Sequence, residues 1–255
     1  MIGVVVPVHN EEACLEACLL ALRTAALHPG LNREPVMLVV VLDDCSDHSL
    51  AIASRHGPTH VTCLTIAARN VGMARHTGAE HLLARDARWL AFTDADSRVA
   101  PDWLVAQLAL CADAVCGLVD VDDWSGHPAH VAAHFAAQYR HVEDHRHIHG
   151  ANLGVCSRAY RRAGGFPPDA SCEDVALVQR LIALNAEIAW STLPRVVTSA
   201  RTRGRAPAGF ADHLAALAAL ATLETVCGGP DRPISVDIDA TPADSRTADR
   251  YLAAS

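Results

Sequence analysis

The sequence has no excess of basic charge: 21 lysine and arginine residues stand against 29 aspartate and glutamate, for a formal net charge of −8. That balance argues against a phosphate-backbone binder, which needs basic side chains to neutralise its partner, so no nucleic-acid partner is expected. No apolar run approaches the roughly eighteen uninterrupted residues of a membrane span, because charges or prolines break each candidate. No integral membrane segment is expected, and any membrane association would be peripheral. The opening residues Met1-Ile2-Gly3-Val4-Val5-Val6-Pro7 carry no cationic stretch before the apolar run and soon reach a proline, the pattern of a strand rather than a secretory signal. The nine cysteines are scattered and odd in number, which fits reduced thiols in a cytoplasm better than a disulfide framework. No glycine-rich, lysine-bearing phosphate loop occurs near the start, which counts against nucleotidyl transfer. There is no internal repeat.

What is present is a composition of 51% hydrophobic and 20% charged residues, ordinary for a folded domain, in a chain of 255 residues that can bury one sizeable core. Short β-branched runs bounded by turn residues alternate with alanine- and leucine-rich segments of helical period. Strands are expected at 4–8, 36–42, 61–66 and 89–93. Between them lie helices at 11–26, opened by Asn10 as its cap, and at 49–56 and 72–85. A helix at 101–112, a strand at 114–121, a long histidine-bearing helix or loop at 129–147, and helices at 173–185 and 211–226 follow. The fold class is therefore α/β, with a mostly parallel central sheet flanked by helices. Residues 228–255, rich in Gly, Pro, Asp, Thr and Arg, read as a loosely ordered tail.

Asp94-Ala95-Asp96 sits just past the fourth strand, at the carboxyl edge where open α/β sheets bind ligands. Two carboxylates in alternate positions can engage one hard cation, Mn²⁺ or Mg²⁺, that bridges a diphosphate. An isolated Asp-x-Asp is more often a solvated turn. Here the preceding strands end in polar segments on the same rim: Pro7-Val8-His9-Asn10-Glu11-Glu12, Leu42-Asp43-Asp44-Cys45-Ser46-Asp47 and Arg69-Asn70-Val71-Gly72.

These ordered motifs, with Glu173-Asp174 further on, resemble the family 2 inverting glycosyltransferases, from Ile2 to about Phe210. The resemblance implies a GT-A fold and a nucleotide-diphosphate sugar as donor, a UDP-sugar favoured. It implies one domain over 1–227, with a nucleotide-binding half at about 1–98 and an acceptor-binding half at about 99–227. Pro7, His9, Asn10 and Glu11 would shape the nucleotide pocket, and Asp43 would read the base, a carboxylate being able to accept from a ring N–H. Arg69, Asn70 and Gly72 would lie beside the nucleotide, with Arg75 one helical turn on, either a further contact or a surface ion-pair partner. Asp94 and Ala95 would meet the nucleotide sugar and Asp96 the metal.

Glu173 and Asp174 at a helix start could simply offset its dipole. The resemblance instead makes Asp174 the general base that takes the acceptor hydroxyl's proton, with Glu173 orienting acceptor or base. Gly150, Ala151 and Asn152 would border the donor sugar and acceptor. Gly164-Gly165-Phe166 matches a further motif and reads as a turn. His141, His145, His147 and His149 are either zinc ligands, without the companion cysteines of a structural zinc site, or a polar wall of the acceptor site. Arg201, Arg203 and Arg205 either hold the diphosphate from a loop or are solvated, and His213 either completes the metal shell or is structural. The expected reaction is metal-assisted single displacement onto an acceptor hydroxyl. The alternatives are nucleotidyl transfer and an inert sugar-nucleotide-binding module.

Overall fold

The computed structural model describes residues 1–57, 60–139, 141–169 and 171–201. The helix expected at 211–226, the tail from 228, and Arg203, Arg205 and His213 lie outside the described residues.

The four apolar runs expected as strands form one half of the sheet. β1 (Ile2–Val8), β2 (Val36–Asp43), β3 (Val61–Ile66) and β4 (Trp89–Phe92) pair in parallel. Alternate strand residues point to opposite faces, and both faces here are covered. Val4, Val6, Val8, Leu38, Val40 and Leu42 therefore enter one core cluster, while Val5, Val39 and Val41 enter the other.

The helices are α1 (Leu15–Ala26), α2 (Ser49–Arg55), α3 (Val71–Leu83), α4 (Trp103–Ala109), α5 (Ala129–Gln138), α6 (Ser157–Arg162) and α7 (Glu173–Ala183). Leu15, Leu19 and Leu22 of α1 and Trp103 and Leu104 of α4 pack on the first face. Leu82 and Leu83 of α3, Tyr160 of α6, and Leu177, Val178 and Leu181 of α7 pack on the second. α3 lies close to the sheet because Gly78 has no side chain: a Cβ there would come within 2.5 Å of Val5. No helix among the described residues is long and apolar enough to cross a membrane.

Of the rest of the sheet, the strand expected at 114–121 forms, and three others were not read from the sequence. β5 (Arg98–Val99), β6 (Ala114–Val121), β7 (Leu153–Cys156) and β8 (Ile188–Thr198) complete the order β3-β2-β1-β4-β7-β6-β8-β5. β7 runs antiparallel to both β4 and β6, and β5 antiparallel to β8, so parallel pairing prevails without being universal. The β6–β8 register shifts between Gly117 and Leu118. Asn152, fully buried, bridges this irregularity: its Oδ1 accepts from Trp103 Nε1 (2.8 Å), and its Nδ2 donates to the carbonyls of Leu118 (2.6 Å) and Pro194 (2.8 Å).

Two helix expectations change. The first helix starts at Leu15 rather than Glu11, and its N-cap Cys14 makes no side-chain cap bond. Asn10 instead takes a left-handed conformation (φ 55°) and accepts from the amides of Ser46 and Asp47, because the neighbouring loop offers it two free N–H groups. Of the segment expected as a helix or loop across 129–147, only Ala129–Gln138 is helical, because Tyr139 turns extended (φ −81°, ψ 109°).

Candidate functional site

The carboxyl ends of β1, β2 and β3 are stapled to one another by side chains. Asp43, 4% exposed, is the centre of this joint: Oδ1 accepts from the amides of Ala68 (2.7 Å) and Arg69 (2.8 Å), and Oδ2 from that of Asn70 (2.7 Å). An ionised carboxylate offers about four acceptor positions, so most of this one is committed to organising the β3–α3 loop. His9 Nδ1 lies 2.7 Å from the Asp43 carbonyl, and the Glu11 amide donates to Ser49 Oγ (2.9 Å). Asn70 caps α3 by accepting from Met73 (2.8 Å), and its Nδ2 donates to the Pro168 carbonyl (2.9 Å). Gly72 is needed where it stands, because a Cβ would strike the carbonyl of Pro167. Arg69 is exposed and pairs with Asp44.

Left-handed residues recur around this rim. Asn10, Asp44 and Arg69 follow the first three strands at φ 55°, 50° and 48°, and Cys172 at φ 59° immediately precedes α7. Asparagine and aspartate tolerate that region, whereas arginine and cysteine are held there by their surroundings. The Cys172 turn delivers Glu173 and Asp174 into the site.

At the centre lies Arg75, 3% exposed and pointing inward from α3. It is buried rather than a surface ion-pair partner. Its Nη2 donates to Asp94 Oδ1 (2.5 Å), its Nη1 pairs with Glu173, and its guanidinium carbon lies 5.8 Å from the Phe166 ring centroid. Gly150 leaves room for it, since a Cβ there would collide with the guanidinium. The Gly150 amide in turn donates to Asp174 Oδ2 (2.6 Å). Burial raises the Asp174 pKa, opposed by Arg75 and by the amides of Val175 and Gly150.

Beside this group, Arg201 bridges Glu11 (2.6 Å) and Asp96 (2.6 Å). Burial pushes Asp96 up to about 6 despite Arg201, with repulsion from Asp94 and Glu11 adding to the rise. Glu11, Asp94, Asp96 and Glu173, with Asp174 beside them, outnumber the two guanidinium groups of Arg75 and Arg201. The donors are all oxygens, and a cation already satisfies Asp96, so the residues fit a hard divalent ion.

Several expected site residues are buried in the framework of the site. Asn152 has its polar atoms committed within the core, and Ala95 and Ala151 are buried. Pro7 is a buried residue of β1. His145, His147 and His149 are buried: the His147 ring stacks on Tyr139 at 4.4 Å, His149 Nε2 meets Tyr139 Oη at 2.7 Å, and His145 lies against His147 and Trp190. His141 pairs with Asp120 (2.7 Å). Among the described residues, no group of three or more His, Cys, Asp or Glu is arranged to hold a metal on its own. A metal at Asp96 would therefore need donor oxygens from its ligand. Gly164-Gly165-Phe166 was read from the sequence only as a turn; the two glycines at φ 76° and 69° do turn the chain, and Phe166 forms the floor beneath Arg75. A cavity of about 710 Å³, lined in part by Leu27, His28 and Arg33, lies by the amino end of β2, remote from these residues.

The profile described as Glycosyl transferase family 2 matches residues 3–163. No curated protein matches the sequence. Among solved structures, the mannosyltransferase PcManGT from Pyrobaculum calidifontis, in complex with GDP-Man and Mn²⁺, is similar at a TM-score of 0.61 and 17% identity, over 89% of this chain and 76% of that one. S. aureus TarS 1-349 in complex with UDP-GlcNAc gives a TM-score of 0.61 at 15% identity, over 87% of this chain and 66% of that one. In another structure of the TarS fragment, the chain spans 60% of its partner's length. At such identities the likeness establishes the fold, which is the GT-A type.

Proposed function

The chain belongs to glycosyl transferase family 2, and on that premise we propose that it moves a sugar from a nucleotide-diphosphate sugar, a UDP-sugar by preference, onto an acceptor hydroxyl with inversion at the anomeric carbon. The observation that carries this reading is the shared rim: Asp94 and Glu173 meet on one buried arginine, while Asp174 and Asp96 flank that junction. The neighbours bound to GDP-Man with Mn²⁺ and to UDP-GlcNAc support a nucleotide-sugar donor.

In this reading Asp174, aimed by the Gly150 amide, accepts the proton of the attacking hydroxyl. Burial raises its pKa, which makes it a stronger base than an exposed aspartate. Attack from the side opposite the leaving diphosphate inverts the anomeric centre in one step. Asp96 and Glu11 bind on the diphosphate side, where Arg201 exchanges its carboxylate partners for phosphate oxygens. A Mn²⁺ or Mg²⁺ ion held by Asp96 would supply neutralisation of the charge that develops on the diphosphate. Asp43 acts on the donor through the β3–α3 loop that it fastens.

The test is turnover of UDP- and GDP-sugars with Mn²⁺ across a panel of hydroxyl acceptors, with the product anomer read by NMR. Inverted product is expected, and Asp174→Asn should lower kcat by about 10²- to 10⁴-fold without loss of fold. Full activity in Asp174→Asn would remove that residue from the reaction. Pyrophosphate release from a nucleoside triphosphate would point to nucleotidyl transfer, and saturable donor binding without turnover to an inert module.

A further inference from the structure

Arg75 joins four segments that are distant in sequence. It projects from α3, pairs with Asp94 after β4 and with Glu173 at the start of α7, and fits against the turn at Gly150 only because that residue lacks a side chain. Phe166 covers its face, 5.8 Å away. Both terminal nitrogens are on carboxylates, and with the side chain 4% exposed the Nε, which has no acceptor, is buried away from solvent. The planar fork suits two acceptors at fixed angles, which an ammonium does not reproduce.

We propose that Arg75 is a positioning residue for sugar transfer: it locks Asp94, Glu173 and the Gly150 turn into one rigid unit and so holds Asp174 where the acceptor hydroxyl arrives. This rests on the reading of Asp174 as the base. Arg75 touches neither donor nor acceptor. It acts through Gly150, whose amide is the 2.6 Å contact that orients the Asp174 carboxylate. Loss of the guanidinium frees Glu173 to move the first turn of α7 and lets the Gly150 turn relax into the vacated space.

A second consequence follows from charge. The groups facing Asp174 are Arg75 from α3, Asp94 from the end of β4, Cys116 from β6, and its neighbour Glu173, together with the amides of Gly150 and Val175. Arg75 is the cation of this set and opposes the effect of burial, so its removal shifts Asp174 toward the protonated form. The acidic limb of the pH–rate profile then moves to higher pH.

The test compares wild type, Arg75→Lys and Arg75→Met, with Asp174→Asn as the reference. In either Arg75 variant kcat should fall by about 10²-fold, the scale of a misplaced reacting group, while the Kd for UDP or GDP with Mn²⁺ stays within about threefold. In Arg75→Met the acidic limb should rise by about one pH unit or more, and in Arg75→Lys by less. The same shift should appear without turnover in ¹³C-aspartate carboxyl NMR, as the resonance that vanishes in Asp174→Asn. Nucleotide affinity falling in step with kcat would make Arg75 a ligand contact and overturn the proposal. So would an Asp174 resonance that titrates at the wild-type pH in Arg75→Met or, should that variant not fold, wild-type kcat in Arg75→Lys. If the wild-type protein transfers no sugar, the proposed function fails, and the carboxyl titration still decides whether Arg75 controls Asp174.

Discussion

Replacing Asp96 with asparagine should stabilise the protein, and only above a definite pH. Asn copies the shape of the protonated acid, so the comparison isolates the ionisation. Burial places the folded-state pKa at about 6 against 3.8 for the free side chain, so between those values the native protein holds a proton that the unfolded chain has released. Stability associated with that proton is fully present below pH 3.8 and is lost as pH rises through about 6. The interval is worth about 3 kcal/mol at about 1.36 kcal/mol per pH unit. Arg201 keeps Glu11 as a partner in the variant, and Asp174 titrates in both proteins and cancels. Thermal unfolding in chelator should therefore give matching Tm values near pH 4 and a gap that opens to roughly 6–12 °C in favour of Asp96→Asn by pH 7.5. Added Mn²⁺ should close the gap from the wild-type side, because a ligand that binds the native state raises its Tm. A variant equally or less stable than wild type at pH 7.5 in chelator would refute the argument that ionised Asp96 is held at a cost.

Two further outcomes follow from the same rim. Arg201→Ala should tighten Mn²⁺ binding in the absence of nucleotide by about tenfold, since about 1.4 kcal/mol of competition for the Asp96 and Glu11 oxygens is removed; unchanged or weaker affinity by electron paramagnetic resonance titration would show that the guanidinium does not compete. Asp43→Ala should lower stability by about 2 kcal/mol and speed hydrogen exchange at the amides of residues 68–70, which lose their acceptor; wild-type exchange rates there would contradict the joint assigned to Asp43.

The first four strands were legible because each is a compact apolar run buried on both faces, bounded by polar residues, as in Val36–Asp43. The strands missed give weaker signals. Leu153–Cys156 is four residues long with a glycine inside, and Ile188–Thr198 contains Pro194 and mixes buried with exposed positions. The acidic motifs announced that charge gathers on one rim, but their local partners are tertiary. Asp43 engages amides 25 to 27 residues away, and Glu11 meets an arginine 190 residues away. Nothing in the spacing of Arg75 distinguishes an inward-facing residue from a surface one, because α3 presents small residues such as Gly72, Ala74 and Gly78 on its buried side rather than an apolar stripe.

Asn152 illustrates how a residue expected beside the ligand can also pin the core together. Its single amide fastens α4, β6 and β8 at the place where two strands fall out of step, and Gly117 is bare to admit it. Truncating it strands an indole N–H and two carbonyls in a dry interior at once. An alanine scan scored on turnover alone would rank this position among the reacting groups; the same scan scored on melting temperature would sort it with the joinery.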